Sequence, residues 1–238
     1  MAVKVELHTH TKYSHDSLLN KWFYLIMLKL RNIHTVAITD HNEIKGAVEY
    51  REFLKKFNIS VIVGEEIFTQ SGEVIGLFLH NKIEPGLCVR ETLLQIKNQG
   101  GLVYIPHPYD KKRYKTVLPE IELKKNLDLI DIIEIHNGRN IHASYSEQQL
   151  AIANKFPHVY QLVGSDAHTF IELGRNYNLM EEFSTKEEFL HHLKNVKHIK
   201  KECLKTAHEV TKLVRLITLF KKGNFNEIYR VINTRIRS

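Results

Sequence analysis

His8 and His10 stand two apart in the stretch VELHTHTKYSHDS (residues 5–17), directly after the alternating apolar Val3, Val5 and Leu7. An extended backbone turns alternate side chains to one face, so the two imidazoles point the same way and offer two nitrogens to one ion. Asp166 and His168, in GSDAH, repeat that spacing with one oxygen and one nitrogen donor. His41 in ITDHN, Glu66 in GEE, His107 in PHP and one of His15 or Asp16 complete the set. So many donors exceed the coordination shell of one ion and suffice for two or three, with a carboxylate bridging. Imidazole and carboxylate without thiolate suit zinc, manganese or iron and do not choose among them. A lone histidine after a strand usually caps a turn or meets solvent. Recurrence of the same event along the chain removes that explanation here.

Donors spread from residue 8 to residue 168 meet only if the elements carrying them end on one face. Short β-branched runs read as strands at Val3–Leu7, Thr35–Thr39, Ser60–Gly64, Val74–Leu79, Leu102–Ile105, Ile130–Ile135 and Tyr160–Gly164. The SG turn before Val74 lets that strand pair locally with the one before it. Amphipathic stretches between them read as helices at Leu18–Asn32, Glu43–Phe57, Val89–Gln99, Pro119–Asn126 and Ser144–Phe156. Such alternation predicts βαβ units, a mostly parallel sheet and a closed or partly closed (β/α) barrel. In a parallel barrel the strand C-termini share one face, so the groups that follow each strand converge in one cleft.

These blocks, HTH with its Ser-His-Asp step, ITDHN, GEE, PHP and GSDAH, resemble in order the signatures of the PHP (polymerase and histidinol phosphatase) superfamily. The resemblance runs from about residue 3 to residue 175 and is specific as an ordered set. It implies an α/β fold, a distorted (β/α)7 TIM-like barrel, with a two- or three-metal site and phosphoesterase chemistry. Residue by residue, it places metal ligands at His8, His10, His41, Glu66 rather than Glu65, His107, Asp166 and His168. His15 stands where the family often has aspartate, with Asp16 as the alternative ligand. The family's GH dipeptide is replaced by Gly72-Glu73, so Glu73 is a further candidate ligand, and His80 an ordinary loop residue. Asp40, beside His41, is the candidate catalytic residue, to orient an imidazole or to shuttle a proton. Arg139 and Arg175 are candidates to fork onto phosphate, and Asn137 rather than its neighbour His136 faces the cleft.

The chain has 238 residues, a net charge of +7 and 43% hydrophobic residues, enough for one large domain. Residues 197–238 hold eleven Lys/Arg and three Asp/Glu, so the preceding body, with twenty-three and twenty-four, is nearly neutral. This predicts a barrel over 1–196 and a basic extension over 197–238, read as two helices joined by the KKGNF turn. The expected activity is hydrolysis of a phosphate ester, on a small phosphorylated metabolite or nucleotide. A 5′-directed exonuclease or oligonucleotide phosphatase using the basic tail is the alternative, with nucleic acid as a possible partner. A non-catalytic metal-binding barrel is a third reading. A C–N hydrolase of the amidohydrolase kind would need a bridging lysine after a mid-barrel strand, and none stands there. Cys88 and Cys203 have no CxxC partner and read as free thiols. With no signal segment and no apolar run long enough for a bilayer, the expectation is a cytoplasmic protein without membrane contact. Oligomeric state is not legible.

Overall fold

The computed structural model describes residues 1–113, 115–221 and 223. Seven of the strands fall where the β-branched runs stand: β1 (Ala2–Glu6), β2 (Thr35–Ile38), β3 (Ser60–Thr69), β4 (Gly72–Leu77), β5 (Leu102–Ile105), β6 (Ile132–Asn137) and β7 (Tyr160–Gly164). Two more, β8 (Tyr177–Glu181) and β9 (Lys197–Ile199), lack an apolar period. In β8 the inward position Asn178 is polar and fully buried, which hides the alternation. The sheet continues through β9, three residues beyond the barrel end expected at 196.

The helices are α1 (Lys21–Arg31), α2 (Lys45–Leu54), α3 (Val89–Asn98), α4 (Glu120–Lys125), α5 (Ala143–Ala153), α6 (Lys186–His192) and α7 (Lys205–Lys221). Local chemistry sets their ends. Asn20 caps α1 by accepting from the Trp22 and Phe23 amides, and Asn32 closes it in the left-handed region. The second of the two expected terminal helices lies outside the described residues.

Hydrogen bonding orders the strands β7-β6-β5-β4-β3-β2-β1-β8-β9. The pairs β1/β2, β2/β3, β5/β6 and β6/β7 are parallel, as βαβ connections require. The β3–β4 hairpin is antiparallel and makes β4/β5 antiparallel too, and β8 pairs antiparallel with both β1 and β9, so the barrel is distorted from a parallel one. The edge strand β7 meets β8 through a side chain: the Val163 amide donates to Asn178 Oδ1 at 3.1 Å, and Asn178 Nδ2 donates to Val163 O at 2.8 Å. Beyond the strand ends, His10 N donates to Ala167 O at 2.9 Å, tying the first donor block to the last.

Two apolar clusters follow from the pleat. Val3, Val5, Leu7, Ala37, Ile62 and Leu162 belong to one, with Phe189 of α6. Val36, Ile38, Val63 and Val163 belong to the other, with the helix residues Tyr24, Leu28, Tyr50 and Leu93. Strands buried on both faces explain why their sequences run nearly uniformly apolar.

Candidate metal centre

Glu66 is the hub. Its Oε1 lies 3.1 Å from His107 Nε2 and 3.4 Å from His8 Nε2, and its Oε2 lies 3.1 Å from His41 Nδ1 and 3.3 Å from His10 Nε2. Asp166 Oδ1 is 3.6 Å from His8 Nε2, 3.4 Å from His10 Nε2 and 3.4 Å from His168 Nδ1. Asp16 Oδ1 is 3.2 Å from His168 Nε2 and 3.8 Å from His41 Nε2. Glu73 stands 3.7 Å from His41 and 3.6 Å from His107. His15 joins Asp16 and His41 in one donor group, its ring 5.2 Å from that of His41. Every expected ligand is therefore gathered in one place, His15 together with its alternative Asp16. Glu65 turns away to accept from the Ile83 amide, and His80 is an exposed loop residue.

The imidazoles are oriented as metal ligands are. His8 Nδ1 sits 3.2 Å from the Glu134 carboxylate, so it carries the proton and donates. His168 Nδ1 is 2.8 Å from the Asp166 carbonyl, which can only accept. Ser14 Oγ donates to Asp40 Oδ1 at 2.8 Å and leaves a lone pair for His10 Nδ1 at 3.0 Å. In each ring Nε2 then holds a lone pair turned inward, the arrangement that fixes tautomer and raises ligand basicity. Among the described residues, Nε2 of His8 and of His10 are buried without a hydrogen-bond partner, as are Glu66 Oε2 and Asp16 Oδ1. Unmatched polar atoms are costly inside a protein, and here several point at shared space. Donor atoms of His8, His10 and Asp166, or of His41, Glu66 and Glu73, lie within 4.8 Å of one another. Donors about 2 Å from a common ion stand roughly 3 Å apart, so nitrogen–oxygen pairs at this spacing fit divalent transition ions.

The buried acids and rings also shift one another's protonation. Burial disfavours a charged His8, yet Asp166, Glu66 and Glu134 outweigh it and hold its pKa well above the ordinary value. Burial, then His168 and His41, push His10 well below its own. Burial and the neighbouring Glu66 raise the Glu73 carboxyl to about 8. Against burial, His8 and His41 hold Glu66 well below the carboxylate range. Backbone strain marks the same spot: His107 and Asp166 adopt φ of 30° and 53°, a region that costs a non-glycine residue energy.

Asp40 is buried beneath the centre. Its Oδ1 accepts from the Thr11 amide and Ser14 Oγ, and its Oδ2 from Thr11 Oγ1. Of the two roles expected for it, the geometry supplies the orienting one, through Ser14 to His10. Asn137 faces the centre, its Nδ2 donating to Glu134 at 2.9 Å and lying 3.3 Å from Asp166, while His136 turns to Ser146. Arg139 lines the cleft but is buried, 3.2 Å from Glu172 and donating to Thr211 Oγ1 at 2.8 Å. Arg175 is a correction: it donates to the Glu202 carbonyl and lines a separate shallow cavity with Lys4, Arg31 and Lys201.

Two participants escape the sequence reading. Glu134 accepts from His8, Tyr104, Asn137 and the His107 amide; its only sequence signal is an acid inside the apolar strand IIEIHN. Arg113 reaches Asp166 Oδ2 at 2.5 Å; its KKR loop reads in sequence as able to meet an anionic substrate, and not as a partner of Asp166.

Residues 6–234 match the PHP domain family model. The chain is 34% identical over 201 residues to the uncharacterized protein MJ0417 of Methanocaldococcus jannaschii, covering 81% of this chain and 79% of that one. PsfC from Pseudomonas syringae superposes with a TM-score of 0.62 at 16% identity, over 91% of this chain and 98% of PsfC. A two-domain protein of Bacteroides vulgatus, described as containing a predicted PHP-like metal-dependent phosphoesterase, gives 0.57 at 16% identity, over 90% of this chain and 64% of that one. Those two likenesses show a shared fold. With the family match spanning nearly the whole chain, this protein belongs to the PHP domain family.

Proposed function

We propose that this chain hydrolyses a phosphate ester, on a small phosphorylated metabolite or nucleotide, at a site holding two or three divalent ions. The observation that carries the reading is the set of inward, unpartnered donor atoms around Glu66, with no thiolate among them. His8, His10, His41, Glu66, Glu73, His107, Asp166, His168 and Asp16 or His15 would hold the ions. Zinc, manganese or iron bound there would supply Lewis-acid neutralisation of phosphoryl charge and a source of hydroxide at neutral pH.

The chain's own residues do the positioning. Glu134, Ser14 and the Asp166 carbonyl lock three imidazoles in one tautomer, so donors are set before anything binds. Arg113 neutralises Asp166 and lines the cleft, where its guanidinium would bind phosphate oxygens once Asp166 held an ion. Asn137 braces Asp166 and Glu134 together. Residues 1–199 form the catalytic barrel in this reading, and the basic segment after them serves the substrate rather than the chemistry.

The reading is tested by stripping the full chain of metal and re-supplying zinc, manganese or iron against phosphate monoesters, diesters and amides. Phosphate release from monoesters only when metal is restored is the expected result. Release of phosphate from none of them, or amide hydrolysis alone, contradicts it.

A further inference from the structure

The cleft above the donors is far larger than a phosphoryl group. Its volume is about 1030 Å³, at the upper end for small-molecule sites. One wall belongs to α7: Thr211, Lys212 and Arg215 line the same cavity as His41, Asp166 and His168. The helix is fixed there by a chain of polar contacts. Arg139 donates to Thr211 Oγ1 at 2.8 Å and pairs with Glu172 at 3.2 Å, and Glu172 in turn accepts from the His168 amide at 3.1 Å. Ala207, Thr211 and Val214 bury the inner face of α7, which sets Lys212 and Arg215 on its cleft side. Across the opening stand Arg113 and Lys115. Besides the donors the lining carries five cationic side chains against two carboxylates, Asp110 and Glu209. Lys212 meets Glu209 at 3.3 Å on an exposed surface, a contact weak enough for a phosphate to replace.

A scissile phosphoryl seated at the donors uses only one end of this space. Resting on the phosphoesterase reading above, we propose that Lys212 and Arg215 of α7 are specificity residues that receive a second anionic group of the substrate, several atoms from the scissile phosphate. The substrate class is then a phosphate ester bearing another phosphate or a carboxylate, and the helix after the barrel selects it. The donors cut; α7 chooses.

The matched pair hexyl phosphate and hexane-1,6-diol bisphosphate differ only in the second anion. With the full, metal-loaded chain, the expected kcat/KM is at least tenfold higher for the bisphosphate, mostly through KM. In the Lys212→Ala, Arg215→Ala double variant that ratio falls to within about threefold of unity. The charge-keeping variants Lys212→Arg and Arg215→Lys retain it, which a merely structural role for α7 would not produce. Calorimetric binding of the corresponding mono- and bisphosphonates, which cannot turn over, repeats the comparison independently of catalysis. If neither ester is hydrolysed but the bisphosphonate binds at least tenfold tighter and loses that advantage in the double variant, the phosphoesterase reading falls and the α7 site stands. Equal binding of the two phosphonates by the unmodified chain overturns the proposal, as does an advantage that survives removal of both cations.

Discussion

Glu134 shows how much of the proposed metal centre is set by side chains that would touch no metal. One carboxylate receives His8 Nδ1, the His107 amide, Tyr104 Oη and Asn137 Nδ2, so it sets two proposed ligands at once. Replacing Glu134 with Gln keeps the shape and loses the charge that makes His8 a strong donor. Metal affinity, read by competition with a chromophoric chelator, should fall about 10- to 100-fold, with turnover following. Unchanged affinity would remove Glu134 from the centre's design. The proposed ligands His8, His10, His41, Glu66, His107, Asp166 and His168 were legible in the sequence because each stands just after a β-branched run, where a histidine has no reason to cluster. Glu134, Arg113 and Glu172 were not, since an acid within a strand or a base in a loop looks the same whether it faces solvent or a site. Asp40 was legible as important but not as to its role, because neighbouring in sequence to His41 does not reveal that its oxygens face Thr11 and Ser14.

At the scale of elements, close approach rather than propensity sets the strand ends. Gly164 ends β7 where a Cβ would lie 2.3 Å from Glu134 Oε1 and 2.7 Å from His8 Cβ. Gly164→Ala should therefore displace both side chains, costing about 1–3 kcal/mol of stability and most of the activity. A variant with native melting temperature and full turnover would show that the strands can part. Strand β9 makes a second prediction. His198, between Asn178 and Lys200, is pushed down from 6.5 to about 4 by burial and then by the Lys200 charge. A depressed histidine pKa means that the unfolded chain binds the extra proton. Its contribution is fully present above pH 6.5 and is lost as pH falls towards 4. Chemical unfolding across that window should show a steeper acid loss for the unmodified chain than for His198→Asn; equal slopes would refute the assignment. The parallel strands were readable from their apolar runs. β8 and β9 were not: one puts a buried Asn178 at an inward position, and the other is three residues long.

For the whole molecule, the centre concentrates buried, mutually close titratable groups that an ion would reconcile. Cation binding should then stabilise the fold by mass action, and a chelator should lower the melting temperature by about 5–10 °C if the ion is present at about 100 times its Kd. A melting temperature indifferent to chelator and to added zinc or manganese would mean that the donors do not hold ions. The barrel class followed from the alternation of strands and helices. Its distortion did not, because the β3–β4 hairpin announces itself only as an SG turn, and one antiparallel hairpin reverses the pairing of the strand beyond it. Nor did composition reveal that the basic C-terminal segment begins by completing the sheet and then lines the cleft.

Elemental analysis of the purified full chain, beside His10→Ala and Asp166→Asn, addresses the account most directly. At least two equivalents of zinc, manganese or iron are expected per unmodified chain, and fewer in each variant while the circular dichroism of the fold is retained. Less than one equivalent in the unmodified chain after growth and dialysis in metal-supplemented medium, or undiminished metal in both variants, would contradict it.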